Sequence, residues 1–468
     1  LHHKKDQMKL PISFINQTQA LLGEEEYAKL ECALQEESPV SIRVNEMKSF
    51  SHEETSRVPW CSTGFYLNKR LTFTFDPLFH AGCYYVQEAS SMFVEQVVNK
   101  YITEPTVALD LCAAPGGKST HLRSRLPEGS FLIANEVIRN RSQILAENLI
   151  KWGHPDVAVT NNDPVDFSSL GAFFDLILTD VPCSGEGMFR KDPGAIEEWS
   201  PENVTICYQR QRRIIADIWP CLKPGGILIY STCTYNLKED EENIEWIKSE
   251  LGAESLSVDI PEEWGVTGNL AGTDAPVYRF LPHKTKGEGF FLAALRKTGE
   301  EEVETQRGKS SKKNKKEKPL EIPQQAKQWL QHPEDFEFER RGDFILSCRK
   351  IFVELVNSLR QQLRVVHSGI TIGEMKGKDL LPHQSLAMSN ELNTDQFSTY
   401  ELSYEQAISY LRKEAITLDI SAPRGYVLLE YKNVPLGFVK NIGNRANNLY
   451  PQEWRIRSGY LPEEVRCL

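Results

Sequence analysis

The sequence predicts an α/β fold built on a parallel sheet. Three observations carry this. Short apolar runs recur from about residue 107, at Val107 to Leu111, Phe131 to Asn135, Val157 to Thr160, Phe174 to Leu178 and Ile227 to Tyr230. Helical stretches such as Ile138 to Trp152 and Glu239 to Leu251 separate them. The first run ends in a turn of small residues. Strand and helix in alternation argue for parallel strands with crossover helices.

Taken in order, residues 10 to 36 read as one or two helices, with Leu21, Leu22, Tyr27, Leu30 and Leu34 at roughly helical spacing. Pro39 to Asn45 reads as a strand. The alternating region follows, with late strands near Val277 to Leu281 and Phe290 to Leu295. Residues 307 to 318 hold seven basic residues and are almost wholly polar. They read as a solvated linker, with phosphate contact as the alternative. Residues 325 to 390 suggest a small mixed unit. In the last stretch Gly425 to Tyr431 and Pro435 to Lys440 read as strands joined by a tight turn at Lys432-Asn433-Val434.

Composition is that of an ordinary soluble chain: 468 residues, 40% hydrophobic and 25% charged. No run approaches the about 18 apolar residues of a membrane span. No signal peptide is visible, and Leu1-His2-His3-Lys4-Lys5 reads as a polar tail ahead of a start at Met8. Ten cysteines occur without a C-x-x-C pair, which argues against a zinc ribbon and fits a reducing cytoplasm. No metal is expected. The net charge of −11 leaves nucleic-acid binding to local basic patches.

The turn after the first strand is Asp110-Leu111-Cys112-Ala113-Ala114-Pro115-Gly116-Gly117-Lys118-Ser119-Thr120. Its end imitates a P-loop, but Cys112 stands where that motif needs glycine. No G-x-G-x-x-G follows. What remains is a strand-to-helix turn whose backbone can approach a ligand. Glu136 ends the next strand, twenty-six positions after Asp110, where a carboxylate can bind ribose hydroxyls. Asp163 follows the third strand and is placed to accept from an adenine amino group. Glycine turn, ribose acid and adenine acid in order fit S-adenosylmethionine, which has no phosphate to cradle.

Two cysteines lie just past strand ends. Cys183 is in Thr179-Asp180-Val181-Pro182-Cys183-Ser184-Gly185 and Cys233 in Tyr230-Ser231-Thr232-Cys233-Thr234-Tyr235. Residues past the carboxyl ends of parallel strands line the ligand crevice. Buried cysteines of no special role are the bland alternative, but both sit in polar, turn-forming contexts. Two thiols in one crevice suggest a nucleophile and a base. Carbon 5 of cytosine is a poor nucleophile until a thiolate adds to carbon 6. A free thiol is only a few per cent ionised near neutrality, so local activation is expected. Asp180 is placed to bond ring nitrogen 3. Adenine amino-methylases prefer an Asp/Asn-Pro-Pro-aromatic loop, which Asp180-Val181-Pro182-Cys183 is not. Glu202-Asn203-Val204 imitates a motif of DNA cytosine methylases, yet it follows Ser200-Pro201 and reads as a helix start.

The blocks Asp110 to Lys118, Asp180 to Arg190 and Ser231 to Tyr235 together resemble the signatures of the Sun/Nop family of RNA cytosine-5 methyltransferases. Tyr84 to Met92 and Arg43-Val44-Asn45 resemble its preceding elements. Residues 425 to 455, with Pro435 to Lys440 and Asn448 to Pro451, resemble the PUA-like RNA-binding module of the bacterial RsmF-type branch, which acts on small-subunit ribosomal RNA. The resemblance implies a Rossmann-like S-adenosylmethionine-dependent methyltransferase domain at 96–300 with an N-terminal α+β, RNA-binding extension at 1–95. By composition a basic linker at 301–322 and a small mixed domain at 323–394 follow, and the resemblance places a PUA-like, β-rich RNA-binding domain at 395–468 after them. It also implies roles: Cys233 as nucleophile, Cys183 assisting release as base or proton relay, and Cys112 to Lys118, Glu136, Asp163 and Asp180 contacting the cofactor.

The expected substrate is RNA, 16S rRNA or the 30S subunit, with transfer RNA as the near rival. A non-catalytic RNA-binding assembly factor is the rival of another class. Nothing requires more than a monomer. Arg190, Lys191, Arg210, Arg212 and Arg213 are candidates to track an RNA backbone, the last three equally a solvated helix face. Arg141 is placed near the ribose or on a helix surface. His283 reads as structural, with the crevice as alternative.

Overall fold

Gly23, at φ +82°, divides the N-terminal helical stretch into α1 (Ile12–Leu22) and α2 (Glu24–Leu34). This computed structural model describes residues 8–50, 56–299, 321–460 and 464–468. The basic segment 307–318 and the tail before Met8 lie outside the described residues. β1 (Val40–Val44) pairs antiparallel with both β2 (Gly64–Leu67) and β3 (Tyr84–Val86). Short helix α3 (Pro77–His80) and α4 (Val94–Tyr101) lead into the central sheet.

That sheet has nine strands. Its parallel heart is β4 (Val107–Asp110), β5 (Phe131–Asn135), β6 (Val157–Thr160), β7 (Phe174–Asp180) and β8 (Leu222–Thr232). Helices α5 (Gly117–Arg125), α6 (Arg139–Trp152), α7 (Pro193–Glu198) and α8 (Pro201–Ile218) lie between these strands, and α9 (Glu241–Leu251) follows. β9 (Ala253–Leu256), β10 (Tyr278–Phe280) and β11 (Phe290–Lys297) add an antiparallel edge beside β8. β4 pairs with β5 on one side and β7 on the other, so strand order reverses there and opens a crevice at the carboxyl ends.

The apolar runs are continuous because both faces are covered. Ala108, Leu132, Ala134, Leu176, Leu178 and Ile229 join one core. Their neighbours Leu109, Phe131, Ile133, Ile177, Leu228 and Tyr230 join the other. This alternation is the two-residue repeat of a strand. β8 extends past the expected run because Leu222 also pairs with Phe174, with a register irregularity before Ile227. α9 starts two residues later than expected because Glu239 and Asp240 turn inward. Ser200 Oγ caps α8 by accepting from the Asn203 amide at 3.0 Å, with Pro201 at the first turn, so Glu202-Asn203-Val204 is a helix start.

Beyond residue 320, α10 (Gln324–Gln328) precedes β12 (Phe336–Arg341) and β13 (Phe344–Arg349), then α11 (Val353–Gln362) and β14 (Val365–Ser368). β14 does not join its neighbours. It pairs antiparallel with β6 and closes the far edge of the central sheet. β15 (Ile370–Lys376) and β16 (Asp379–Pro382) complete a four-stranded sheet with β12 and β13, and α12 (Gln384–Met388) follows. The last sheet holds β17 (Ser398–Glu401), β18 (Gly425–Tyr431), β19 (Val434–Asn441) and β20 (Ala446–Asn448), with α13 (Tyr404–Leu411) after β17. Lys432 and Asn433, at φ +51° and +61°, form the tight turn between β18 and β19. This unit shares a core with the N-terminal sheet, where Ile42, Phe65 and Leu78 meet Ile408, Leu411 and Leu436. Among the described residues no helix is long and apolar enough to cross a membrane.

Candidate active site

Strand adjacency brings the two thiols together. β7 and β8 are parallel neighbours with Asp180 opposite Ser231. Cys183 and Cys233 therefore leave the same end of the sheet side by side, and their Sγ atoms lie 3.2 Å apart. The Cys233 amide points at Cys183 Sγ at 3.3 Å, and the Gly187 amide holds the Cys233 carbonyl at 2.9 Å. The hydrogen bond with Cys233, then burial, push the Cys183 thiol well above its ordinary value.

Lys118 and Asp180 stand beside them. Lys118 Nζ donates to Asp180 Oδ2 at 2.8 Å, and Ser231 Oγ donates to Asp180 Oδ1 at 2.8 Å. Burial works against the Lys118 charge, but the Asp180 carboxylate and the Cys233 sulfur outweigh it and raise its pKa.

The loop from Cys112 to Lys118 is tied down through its carbonyls. Arg141 donates to Ala114 at 2.9 Å, Asn148 to Pro115 at 2.8 Å and Arg43 to Gly117 at 3.3 Å. Ala113 donates its amide to Asn135 at 2.9 Å. Gly116 sits at φ +116°, and a Cβ on Gly117 would come within 3.2 Å of the Tyr85 ring. Burial pushes the Cys112 thiol up.

These residues fit an adenosyl sulfonium. Asp110 is wholly buried; Ser119 donates to its Oδ2 at 2.6 Å while its Oδ1 has no hydrogen-bond partner. Glu136 accepts from the Ile138 amide at 2.9 Å through Oε1, and Oε2 faces the half-exposed Arg141 at 3.2 Å, a partner that can swing away. Val137 and Ile138, next to Glu136, are exposed apolar side chains on which a base can lie. Asp163 caps the turn at Val165 and pairs with Arg213 at 3.3 Å. Arg141 therefore bridges the loop and the acid.

The basic candidates divide. Arg190 is buried, donating to Glu288 at 2.9 Å and to the Ala33 and Gly287 carbonyls, so it is a structural clamp. Lys191 lies 3.9 Å from the same Glu288. Arg212 stacks on Tyr208 and Trp246, and Arg213 pairs with Asp163 and Asp217. His283 pairs with Glu26 of α2 at 3.2 Å with its side chain buried.

Sequence reasoning missed a buried polar network behind the thiols. Glu239 accepts from the Ser184 amide at 3.0 Å, Gln211 at 2.7 Å and Asn236 at 2.8 Å, and burial raises its pKa. Arg279 reaches Asp240 at 3.2 Å, Glu241 Oε1 at 2.8 Å and the Tyr235 carbonyl at 2.7 Å. The run Glu239-Asp240-Glu241-Glu242 reads as an acidic helix start, and nothing in it signals burial.

Among the described residues, Cys61, Glu95 and His121 bring three candidate metal-ligating atoms within 4.8 Å of one another. Glu95 there already accepts from Ser62 and His121, with Arg125 at 3.9 Å, and burial lowers the His121 pKa to about 4. A neutral imidazole bound to a carboxylate already near a cation explains the cluster.

Residues 101–296 match the family described as 16S rRNA methyltransferase RsmB/F. Residues 10–89 match the N-terminal domain of 16S rRNA methyltransferase RsmF, and residues 397–456 match the methyltransferase RsmF PUA domain. The chain is similar to the ribosomal RNA small subunit methyltransferase F of Aliivibrio fischeri (strain MJ11), at 32% identity over 444 residues, covering 90% of this chain and 92% of the relative. It is 31% identical to that of Escherichia coli O7:K1 over 415 residues, covering 86% and 85% of the two chains. Among solved structures it is similar to a methyltransferase homolog protein from Pyrococcus horikoshii, with 27% identity, a TM-score of 0.52 and coverage of 62% of this chain and 100% of that one. It also shares the fold of NSun6 from Pyrococcus horikoshii with SFG, at 23% identity and a TM-score of 0.53, covering 62% and 99%.

Proposed function

The chain belongs to the RsmB/F family of 16S rRNA methyltransferases, and from that premise we propose that it forms 5-methylcytosine through a covalent Cys233 adduct. The observation that carries this reading is the pair of thiols 3.2 Å apart beside the Lys118–Asp180 pair. S-adenosylmethionine, when bound, supplies an electrophilic methyl group. Cys112 to Lys118, Glu136, Asp163 and Asp180 are the residues assigned to hold it.

The rest of the chemistry belongs to the chain. The Cys233 thiolate adds to carbon 6 of the cytosine and moves the ring electrons onto carbon 5. Asp180 bonds nitrogen 3 and favours the adduct. Once carbon 5 carries its methyl group, its proton must leave for the double bond to re-form and Cys233 to depart. Cys183, against the same sulfur, assists this step as base or proton relay. The cytosine must be unstacked to reach both thiols, so an opened stretch of the RNA is required. The PUA unit at 397–456 supplies RNA contacts outside the crevice.

The test is nucleoside mass spectrometry of unmodified 16S rRNA and 30S subunits after incubation with the protein and S-adenosylmethionine, with two variants beside it. Wild type yields 5-methylcytosine. Cys233→Ala yields neither product nor RNA adduct. Cys183→Ala yields an adduct that survives a denaturing gel. Reversal of the two variants would overturn the role assignment, and methylation at another atom would overturn the reading.

A further inference from the structure

Three residues beyond Cys183, the chain makes a short turn at Glu186 to Met188, entered through Gly185 at φ +76°. The Glu186 side chain is fully buried. Its Oε2 accepts from Thr234 Oγ at 2.6 Å and the Tyr235 amide at 2.7 Å. Its Oε1 accepts from Trp199 Nε1 at 3.0 Å, Gln17 Nε2 at 3.0 Å and Asn236 Nδ2 at 3.2 Å. Five neutral donors converge on one carboxylate, which offers about four lone-pair sites, so no acceptor position is left open. Two of them are the residues directly after Cys233. A third, Gln17, comes from α1, whose Phe14 packs edge-on against Phe189 and Trp199 at 5.0 and 5.6 Å.

We propose that Glu186 is a positioning residue that clasps the loop after Cys233 to the loop after Cys183 and so sets the approach of the nucleophile to its target carbon. The assignment rests on the covalent reading of the two cysteines. The geometry explains why a carboxylate is needed. Asn236 can be reached by an amide oxygen, and Thr234 can reverse its hydroxyl to accept. The Tyr235 amide, Trp199 and Gln17 Nε2 can only donate, and they lie on both oxygens of Glu186. A glutamine therefore meets a donor with its own NH2 in either orientation. In one orientation the NH2 meets the Tyr235 amide and opens the clasp directly; in the other it meets Trp199 Nε1 and shifts residue 186 from its seat, while the apolar packing around it stays. Displacing a reacting group by about 1 Å costs on the order of 100-fold in rate.

The experiment measures the rate of denaturant-resistant adduct formation with saturating unmodified 16S rRNA and S-adenosylmethionine. It uses the full chain as Cys183→Ala, Cys183→Ala/Glu186→Gln and Cys183→Ala/Thr234→Val. The expected result is adduct from the first and a rate roughly 10- to 100-fold lower from the second, with RNA and cofactor dissociation constants unchanged. Thr234→Val, which removes one arm of the clasp, slows the reaction in the same direction by less. A purely structural role would lower the folded fraction and leave the rate per folded molecule alone. An unchanged rate in folded Glu186→Gln overturns the proposal. If that variant does not fold, an unchanged rate in Thr234→Val overturns it. Absence of adduct from Cys183→Ala alone overturns the covalent reading, and this assignment with it.

Discussion

Asp110 sits wholly buried beneath the cofactor loop with one carboxylate oxygen unpartnered. Burial raises its pKa from 3.8 to about 7; the Ser119 hydrogen bond opposes this, and the charges of Asp180 and Glu136 add to it. Between those two values the folded chain holds a proton that the unfolded chain has released, so stability falls as pH rises through the window. Between pH 5 and pH 8 the shift spans about 2 units, and at 1.36 kcal/mol per unit the loss is about 3 kcal/mol. Asp110→Asn removes the ionisation and keeps an oxygen for Ser119. Urea unfolding at pH 5 and pH 8 should show wild type losing about 3 kcal/mol relative to the variant. A stability difference that stays constant across the two pH values, or moves the other way, refutes the reasoning.

Arg279→Met leaves Asp240 and Glu241 buried without their cation, and should destabilise by about 3–5 kcal/mol in urea unfolding; a loss below about 1 kcal/mol would show that the acids are served by their other partners. Asp180→Asn removes the charge that holds Lys118 at 2.8 Å. A charge-assisted hydrogen bond is worth about 1.5–3 kcal/mol, so initial rates of methyl transfer should drop roughly 10- to 150-fold with little change in melting temperature. Full activity would remove Asp180 from the machinery.

Much of the central sheet was legible because its strands are buried on both faces, which leaves unbroken apolar runs such as Phe131 to Ala134. Cys183 and Cys233 stood out because polar turn contexts at strand ends are unusual places for inert thiols. Other features were hidden. Val365 to Ser368 carries only a half-buried pattern, and its partner β6 lies about two hundred residues earlier in sequence, from Val157 to Thr160. Glu186, Glu239 and Asp240 look like surface charges, since acids are rarely buried unless satisfied, and their donors are scattered from Gln17 to Asn236. Arg190 misled for the same reason: a basic residue near the crevice suggests phosphate, but Glu288 arrives from far along the chain to claim it.

The pairing of β14 with β6 stitches the two parts of the chain into one sheet. An unpaired edge of a sheet is a template for other strands. Here that edge is capped from beyond residue 320, and the cap reaches further than the ladder. The Asn161 amide donates to the Arg364 carbonyl at 3.0 Å, and the Arg364 amide donates to Asn162 Oδ1 at 3.0 Å. Those asparagines immediately precede Asp163. A chain stopped at residue 299 would expose a sticky border and lose the brace on one wall of the cofactor crevice. Two fragments made separately, on the other hand, carry in β14 and β6 the means to find each other again, by the strand addition that many proteins use to capture a partner.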